Sequence, residues 1–328
     1  MLSFLPTLNV LIAGGLGFIG SNLARRLVGE GHNIVLVDNL NPQYGGNLAN
    51  IADIRNRVTI NISDIRDPFA TNELLKNIDL IFSLAGQTSH VESMKDPFTD
   101  LDINAKSQLS LLESVRMVCP EAIVVHASTR QIYGRPKYLP VDEAHPIRPI
   151  DVNGVSKAAG EQFHMLYHDV YGVRTTTLRL TNTYGPGMRI KDNRQGFLGG
   201  WIRNLLTGNP IKVFGDGKQL RDFNYIDDVV DALVRAARSP ASYGKLFNLG
   251  HDEVVDLANL ADQMVAAKPG ASWQTVPFPP ERKSIDIGSY YGNYSLAYKL
   301  LGWQPQVLLA SGLERTLEYY RANLHSYL

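Results

Sequence analysis

Two things are scarce in this sequence: cysteine and surplus charge. Cys119 is the only cysteine among 328 residues, so no disulfide can form within the chain, which fits a reducing compartment and predicts a cytoplasmic location. Lys and Arg number 32, as do Asp and Glu, and this balance argues against a nucleic-acid partner, which would favour a basic face. No apolar run reaches the roughly 18–20 residues that a membrane span needs, and no His, Cys or carboxylate spacing is typical of a metal site.

Apolar segments of strand length are plentiful, and over the first 180 residues they alternate with stretches of helical periodicity. This alternation predicts an α/β fold, a doubly wound parallel sheet of the Rossmann type. The run RVTINIS alternates polar and apolar residues, which is also typical of an edge strand. The alternation of apolar segments and helical stretches becomes less regular after residue 180. We therefore predict one domain over 1–180 and a smaller C-terminal lobe over 181–328, with chain crossovers between them. The predicted strands are 10–13, 34–37, 58–62, 80–84, 123–126 and 176–180.

A glycine-rich loop, GGLGFIG, follows the first predicted strand and opens a helix. Gly14, Gly17 and Gly20 allow the backbone to turn tightly and to approach a pyrophosphate at the helix N-terminus. The next predicted strand ends at Asp38, whose carboxylate can accept hydrogen bonds from a ribose 2′-hydroxyl and repel a 2′-phosphate. The sequence therefore predicts that residues 1–180 bind NAD rather than NADP.

Six segments in this order resemble the extended short-chain dehydrogenase/reductases, specifically the nucleotide-sugar epimerase/dehydratase group. They are GGLGFIG, SDIRD, SLAGQ, STRQIYG, LRLTNTYGPG and FGDGKQLRDFNYIDD, and the resemblance covers almost the whole chain. It implies that residues 181–328 mainly bind the substrate, and that Asp64 and Ile65 flank the adenine. The full set of residues predicted at the cofactor is Gly14, Gly17, Phe18, Ile19, Gly20, Asp38, Asn39, Asp64, Ile65, Leu84, Ala85, Gly86 and Lys157.

In that family a Ser or Thr, a Tyr and a Lys carry the chemistry, the last two spaced as Y-x-x-x-K. By position, Thr129 in STRQIYG matches the Ser or Thr and Lys157 in NGVSK matches the Lys, but the residue four before the Lys is Asn153. An amide cannot act as a base near neutral pH, and losing a positioned base costs roughly 10²- to 10⁴-fold in rate. The resemblance therefore implies a replacement base, a slow reaction or no catalysis.

His90 is the replacement that we expect. It follows SLAGQ at the carboxyl end of a predicted strand, where open α/β sheets bind ligands, and an imidazole suits proton transfer near neutral pH. A histidine in a surface loop is the alternative interpretation. Tyr133, Lys157 acting through water, and Asn153 orienting a water or a hydroxyl also remain open.

The two residues after Thr129 narrow the reaction. The family's 4,6-dehydratases carry Asp-Glu there, whereas this chain has Arg130 and Gln131. Neither is a carboxylic acid, so a dehydration that needs the acid pair is disfavoured. Arg130 can instead neutralise a carboxylate or a phosphate of the substrate, which leaves a uronic acid open, and a surface arginine is the alternative.

The resemblance also implies a site for a nucleotide-diphosphate sugar. Arg221 and Arg282 match the family's diphosphate contacts, since guanidinium groups bind phosphates through forked hydrogen bonds. Asn182 matches a residue that contacts the sugar or a phosphate, and Val213 and Phe214 match positions that flank the base. Thr129 and Arg130 complete the predicted substrate set.

The leading interpretation is an isomerase of carbohydrate biosynthesis: an NAD-dependent nucleotide-sugar epimerase acting at C4 through a transient keto-sugar. A nucleotide-sugar decarboxylase or dehydratase and a catalytically silent NAD or sugar-nucleotide binding protein are the alternatives. Helical stretches 98–118 and 154–171 match those that form a four-helix interface in the family, so we predict a homodimer, although their apolar residues could simply pack on the sheet. The sequence does not choose the nucleobase or the sugar.

Overall fold

Seven parallel strands form the central sheet of the computed structural model, which describes residues 6–328, so that the first five residues of the predicted unit 1–180 lie outside the described part. The strands of the described residues are, in chain order, β1 (Asn9–Ala13), β2 (Asn33–Asp38), β3 (Thr59–Ile62), β4 (Leu80–Ser83), β5 (Ile123–Thr129), β6 (Arg174–Leu180), β7 (Asn182–Tyr184), β8 (Ile211–Phe214), β9 (Leu220–Tyr225), β10 (Lys245–Asn248), β11 (Val254–Asp256) and β12 (Trp273–Val276).

Helices connect most of these strands. They are α1 (Phe18–Gly29), α2 (Pro68–Leu74), α3 (His90–Lys95), α4 (Pro97–Leu101), α5 (Ser107–Val118), α6 (Val152–Tyr171), α7 (Phe197–Thr207), α8 (Ile226–Arg238), α9 (Leu257–Ala266), α10 (Pro280–Lys283), α11 (Ser295–Leu301) and α12 (Leu309–Asn323).

The strand order in the large sheet is β10-β6-β5-β4-β1-β2-β3, with every neighbouring pair parallel. This order confirms the predicted fold class, a doubly wound Rossmann-type sheet. All six predicted strands are present, and β3, which contains most of RVTINIS, is the edge strand. Its polar-apolar alternation follows from that position, because an edge strand is only partly covered.

Two hydrophobic cores lie on opposite faces of the sheet. Alternate residues of β1 belong to different cores. Val10 and Ile12 belong to the core that contains α1 and α8, and Leu11 and Ala13 belong to the core that contains α5. Successive side chains of a strand point to opposite faces, so a strand with a helix layer on each face must be apolar throughout. The continuous runs NVLIA and LIFS have this composition.

The chain crosses back after residue 180. Strand β10 joins the large sheet beside β6, and α8 packs against α1, so part of the C-terminal half completes the N-terminal core. The remaining strands form a small sheet, β11-β9-β7, and a parallel pair, β12-β8. The first strand of these smaller sheets, β7, directly follows the carboxyl end of β6, where the long polar loop begins.

The predicted helix over 98–118 is interrupted. A π-helical turn, Asp102–Lys106, separates α4 from α5 and contains the buried polar residue Asn104, and the buried Asp100 precedes it in α4. Such turns are rare and often occur at functional sites.

Of the apolar residues on the two predicted interface helices, Leu112 is fully buried in the core, whereas Leu166 is 49% exposed. Within residues 6–328, none of the helices is long and apolar enough to cross a membrane.

Candidate active site

The main cavity lies at the point where the sheet reverses its winding. Strands β1 and β4 are neighbours there, and their following helices pack on opposite faces, which leaves a crevice at their carboxyl ends. The cavity measures about 320 Å³ and is lined by residues that follow β1, β2, β4 and β5 and by the start of α6. Every residue that the sequence predicted at the cofactor lines this one cavity, from Gly14 to Lys157.

The floor of the cavity is formed by glycine backbone without side chains, at Gly14, Gly17 and Gly20, which we call the glycine cradle. Gly14 has φ +78°, and a Cβ there would lie 2.8 Å from the backbone nitrogen of Ala85. A Cβ on Gly20 would overlap the carbonyl oxygen of Gly14, and Gly17 is the N-cap of α1. Only glycine permits this approach of loop, helix and strand. The cradle leaves room for a pyrophosphate at the helix N-terminus, so the residues present fit NAD.

The ribose and adenine end carries two carboxylates in different environments. Burial raises the pKa of Asp38, although its carboxylate accepts hydrogen bonds from the backbone N–H groups of Leu40 (2.9 Å) and Leu16 (3.2 Å). Arg66 lies 2.7 Å from Asp64 and, with Asn39, lowers the pKa of Asp64 to about 2. Asp64 is therefore ionised at neutral pH, and Asp38 keeps a carboxylate at the end of β2, where the sequence placed the ribose contact.

His90, Thr129, Asn153 and Lys157 line the other end of the cavity together. Thr129 ends β5, and its Oγ1 accepts a hydrogen bond from the N–H of Gln131 at 3.2 Å. Lys157 is 8% exposed, and burial lowers its pKa while the charges of Asp100 and Glu161 oppose that shift. The four side chains that the sequence assigned to catalysis thus share one compartment, although they come from three separate segments.

Asn153 is fixed by its amide nitrogen. Its Nδ2 donates to the carbonyl oxygen of Gln87 at 2.8 Å and to Oδ2 of Asp100 at 3.0 Å. The Nδ2 of Asn104 donates to the same two acceptors. Since both N–H groups of Asn153 point at the protein, only its amide oxygen remains for a ligand, and that oxygen can accept a hydrogen bond but does not take up a proton near neutral pH.

His90 lies against a buried carboxylate that the sequence analysis did not single out. Its Nδ1 is 3.1 Å from Oδ2 of Asp151, the N-cap of α6, whose side chain is fully buried. Asp151 also accepts hydrogen bonds of 2.6 Å from Nε2 of Gln131 and from the N–H of Gly154. Burial raises the pKa of Asp151, but His90 and these donors outweigh burial and hold it below the usual value.

Gln131, which the resemblance matched to the second position of the dehydratases' Asp-Glu pair, does not line the cavity. It is 4% exposed, and its amide is committed to Asp151. Arg130, at the first position, does line the cavity. Its Nη2 donates to Oδ1 of Asn182 at 2.8 Å, its guanidinium lies 5.3 Å from the ring centre of Tyr290, and its Nε is buried without a partner among the described residues.

Arg221 is a second buried guanidinium, close enough to Arg130 to feel its charge, but it does not line the cavity. It is 6% exposed, and burial together with the charge of Arg130 lowers its pKa to about 10, while Asp286 and Asp222 oppose that shift. Its Nε, too, is buried without a partner among the residues described. Nη1 of Arg221 donates to the carbonyl oxygens of Leu220 and Gly288, and its Nη2 lies 3.7 Å from Asp286. Arg130, which lines the cavity, is therefore the guanidinium placed to meet an anionic ligand.

The two residues predicted to flank the nucleobase, Val213 and Phe214, lie in different environments. Phe214 is half-buried, with the ring of Phe278 5.5 Å away and the guanidinium of Arg282 5.6 Å from its own ring centre. Val213 is the next residue back along β8 and is fully buried in the core. The prediction for Val213 therefore needs a correction, because adjacent strand residues face opposite sides and only its backbone remains available to a ligand.

Two loops that the sequence analysis did not assign to the site also line the cavity, at Tyr44–Gly46 and at Gln195–Gly196. Arg189 joins them, since its Nη1 donates to the carbonyl oxygens of Pro42 (3.1 Å) and Tyr44 (2.9 Å). The glycine pair Gly45–Gly46 and the polar loop after β7 were visible signals of turns. Their meeting over the cavity joins segments too far apart in the chain for any local pattern to reveal.

This fold and cavity define a dinucleotide-binding α/β protein with a second, cationic compartment beside the cofactor cradle. The chain belongs to the NAD dependent epimerase/dehydratase family, whose family model matches residues 10–250. Its cofactor is NAD, in agreement with the sequence prediction.

Relatives in this family catalyse different reactions. The chain is similar to a UDP-glucose 4-epimerase of Mycolicibacterium smegmatis, with 33% identity over 96% of this chain and 99% of the relative. It is 31% identical to UDP-glucuronic acid decarboxylase 1 of Xenopus tropicalis, over 96% of this chain and 72% of that protein. A dTDP-glucose 4,6-dehydratase from Streptomyces venezuelae, solved with NAD bound, superposes with a TM-score of 0.88 at 26% identity, over 97% of this chain and 98% of that one.

Proposed function

We propose that this protein is an NAD-dependent epimerase that inverts C4 of a nucleotide-linked sugar through a transient keto-sugar. The observation that carries the proposal is the shared cavity, in which the glycine cradle for NAD continues into the compartment of Thr129, Lys157 and Arg130. The similarity to a UDP-glucose 4-epimerase over nearly the whole of both chains supports it.

The chain's own groups fit this reaction. Bound NAD would accept a hydride from the sugar carbon and return it to the opposite face of the keto-sugar. Lys157, a buried cation, would hold the ribose hydroxyls, and the Thr129 hydroxyl would orient the reacting sugar hydroxyl. Asn153, in place of the family's tyrosine, would contribute only a hydrogen-bond acceptor, so the proton requires another group.

Epimerisation is favoured over dehydration because the positions of the acid pair hold no acid. Arg130 faces the cavity, and Gln131 is buried and bonded to Asp151. Eliminating water from a sugar requires a group that protonates the leaving hydroxyl, and neither residue can do so at neutral pH. The retained cradle and arginines also favour turnover over the third interpretation, a catalytically silent binder.

A specific observation favours an acidic sugar as the second candidate substrate. The buried Nε of Arg130 has no partner among the described residues, and the guanidinium lines the cavity beside Asn182. A carboxylate would pair with that donor. Epimerisation or decarboxylation of a nucleotide-linked uronic acid is therefore the alternative function, in keeping with the relative that decarboxylates UDP-glucuronic acid.

The experiment is a substrate panel followed by NMR. Purified protein with NAD is incubated with UDP-, GDP-, CDP- and dTDP-linked glucose, galactose and glucuronic acid, and Lys157→Met serves as the inactive control. We expect interconversion of a glucose/galactose pair on one nucleotide. Loss of carbon dioxide from the glucuronate would favour decarboxylation instead, and binding of a sugar nucleotide without any product would favour the silent binder.

We also propose a homodimer built on α4, α5 and α6. Apolar side chains stay exposed on these helices, including Phe98 (79%), Met117 (69%) and Val170 (59%). Exposed apolar side chains on helices that pack against one another indicate an interaction surface. Light scattering at micromolar concentration should give twice the chain mass, and a monomer would contradict the proposal.

A further inference from the structure

We propose that His90 and Asp151 are the acid-base pair of this site: His90 exchanges the proton of the reacting sugar hydroxyl, and Asp151 positions the imidazole. The inference rests on the proposed function, since it requires that a sugar hydroxyl is oxidised in the cavity. It assigns His90 the missing catalytic role and gives Asp151 a role that the sequence did not suggest.

The proposed reaction requires a group that takes up one proton and later returns it. Oxidising an alcohol to a ketone transfers one hydrogen with two electrons to the nicotinamide and releases the hydroxyl hydrogen as a proton, and reduction consumes both again. Thr129 is too weak an acid or base to hold that proton alone, Asn153 cannot hold it, and the proposed function assigns Lys157 to the ribose hydroxyls. His90 is the only histidine among the described residues that line the cavity.

The geometry leaves one ring nitrogen of His90 for this proton. Nδ1 faces Asp151 at 3.1 Å, so Nε2, on the opposite side of the ring, is the nitrogen that can accept it. The side chain is 38% exposed and lies at the N-terminus of α3, on the wall of the cavity. No hydrogen bond is formed at Nδ1 among the described residues despite this short separation, and catalytic hydrogen bonds are often poorly aligned until substrate binds.

Asp151 is held rigidly enough to orient a histidine. Its side chain is fully buried and receives two hydrogen bonds of 2.6 Å, from Gln131 and Gly154. Gln131 also donates its backbone N–H to the hydroxyl of Thr129, so one residue connects that hydroxyl to the pair. Lys157 lies near the N-terminus of α6, the helix that Asp151 caps. A buried carboxylate of this kind fixes the ring and stabilises its protonated form.

The competing explanation is a structural contact that only joins α3 to α6. Two substitutions separate the explanations. His90→Ala removes both the base and the contact, whereas His90→Gln keeps a polar side chain beside Asp151 but cannot take up a proton. His325→Ala, at an exposed histidine outside the cavity, is the matched control.

We expect both His90 variants to lose at least ~10²-fold in kcat, while KM for the sugar nucleotide and the affinity for NAD stay within about twofold. Added imidazole should restore part of the rate of His90→Ala and none of the rate of His90→Gln, in which the space is filled. Full turnover by His90→Gln would overturn the proposal, because the role would then be structural.

Asp151→Asn tests the positioning role. Asn caps helices about as well as Asp, so α6 should stay capped and KM should stay unchanged while kcat falls at least ~10-fold. Asp256→Asn, which removes the charge from the equivalent cap of α9 outside the cavity, is the control and should leave kcat unchanged. Equal kcat values for Asp151→Asn and wild type would overturn this part.

One readout does not depend on turnover. The contact with His90 helps to hold the pKa of Asp151 low, so the pKa followed through its labelled carboxyl carbon should rise in His90→Ala and not in His325→Ala. Absence of turnover by the wild type on every sugar nucleotide would overturn the proposed function and this inference together. Turnover by the wild type with undiminished His90 variants would overturn the acid-base pair alone.

Discussion

The two ends of the cavity are built in different ways. The cofactor end is made of backbone: glycines that no other residue can replace, a helix N-terminus and a carboxylate at the end of β2. The catalytic end is made of side-chain networks, in which Asn153 is tied to Asp100, and His90 to Asp151. Backbone sites depend on a short continuous segment, whereas side-chain networks join residues far apart in the chain. The first kind therefore constrains residue identity strongly, and the second allows the catalytic group to change.

The largest effect that tests this comparison is expected at the cradle. Gly20→Val would place side-chain atoms against the carbonyl oxygen of Gly14 and the Cα of Gly15, which are backbone atoms that cannot move aside. We expect NAD affinity to fall at least ~10²-fold, with a cost in stability of about 1–3 kcal/mol for the overpacking. Calorimetry with NAD and thermal unfolding measure both.

The matched control lies on the same helix. A Cβ on Gly29, at the end of α1, would meet nothing within 4 Å, so Gly29→Ala should bind NAD as wild type does and gain slightly in stability. Normal NAD affinity in Gly20→Val would mean that the cradle does not hold the pyrophosphate.

The next effect concerns the ribose. Asp38 should favour NAD because its charge opposes a 2′-phosphate, so we expect wild type to bind NAD at least ~10-fold more tightly than NADP. Asp38→Ser should reduce that preference severalfold, chiefly by weakening NAD. Calorimetry with both dinucleotides measures the ratio, and tighter binding of NADP by wild type would contradict the assignment.

The sequence predicted the fold because its signals are local. Apolar segments of strand length, continuous in β1 and β4 and alternating in β3, marked the six strands of the N-terminal half, and the glycine spacing marked the loop after β1. The return of β10 to the sheet had no such signal, since KLFN resembles any short strand. The π turn before α5 was also invisible, because the periodicity of 98–118 continues on both sides of it.

The site divides in the same way. The residues matched to the cofactor motifs line the cavity, whereas Arg221, Arg282 and Phe214 do not. Gln195 and Tyr44 line it, and Asp151 contacts the cavity residue His90, through approaches that no local pattern encodes. Val213 shows the converse: a motif match does not specify which side of a strand a side chain faces. Only the location of the hydrophobic core shows that Phe214, and not its neighbour Val213, has a partly exposed side chain.

A smaller effect tests the cationic compartment. Arg130→Met keeps most of the side-chain length and removes the charge, so it should weaken binding of a glucuronate-linked nucleotide about 10-fold more than binding of the glucose-linked one if the unused Nε takes a carboxylate. Arg55→Met, at an exposed arginine outside the cavity, should change neither affinity. Equal losses for the two ligands would assign Arg130 to the diphosphate instead.

The smallest effect compares the ion pairs at the two ends through pH. Arg66 depresses the pKa of Asp64 to about 2, below the value near 4 of an unfolded chain. The pair therefore adds stability above about pH 4 and loses it as pH falls towards 2. Arg66→Met should lower the free energy of unfolding at pH 7 by less than about 1 kcal/mol, because solvent screens a pair this exposed, and the difference should shrink between pH 4 and 3. His90→Ala should show the same direction, because His90 also helps to hold the pKa of Asp151 below its usual value. Urea unfolding at pH 7, 5, 4 and 3 measures both, and a difference that does not change with pH would contradict the role of either pair.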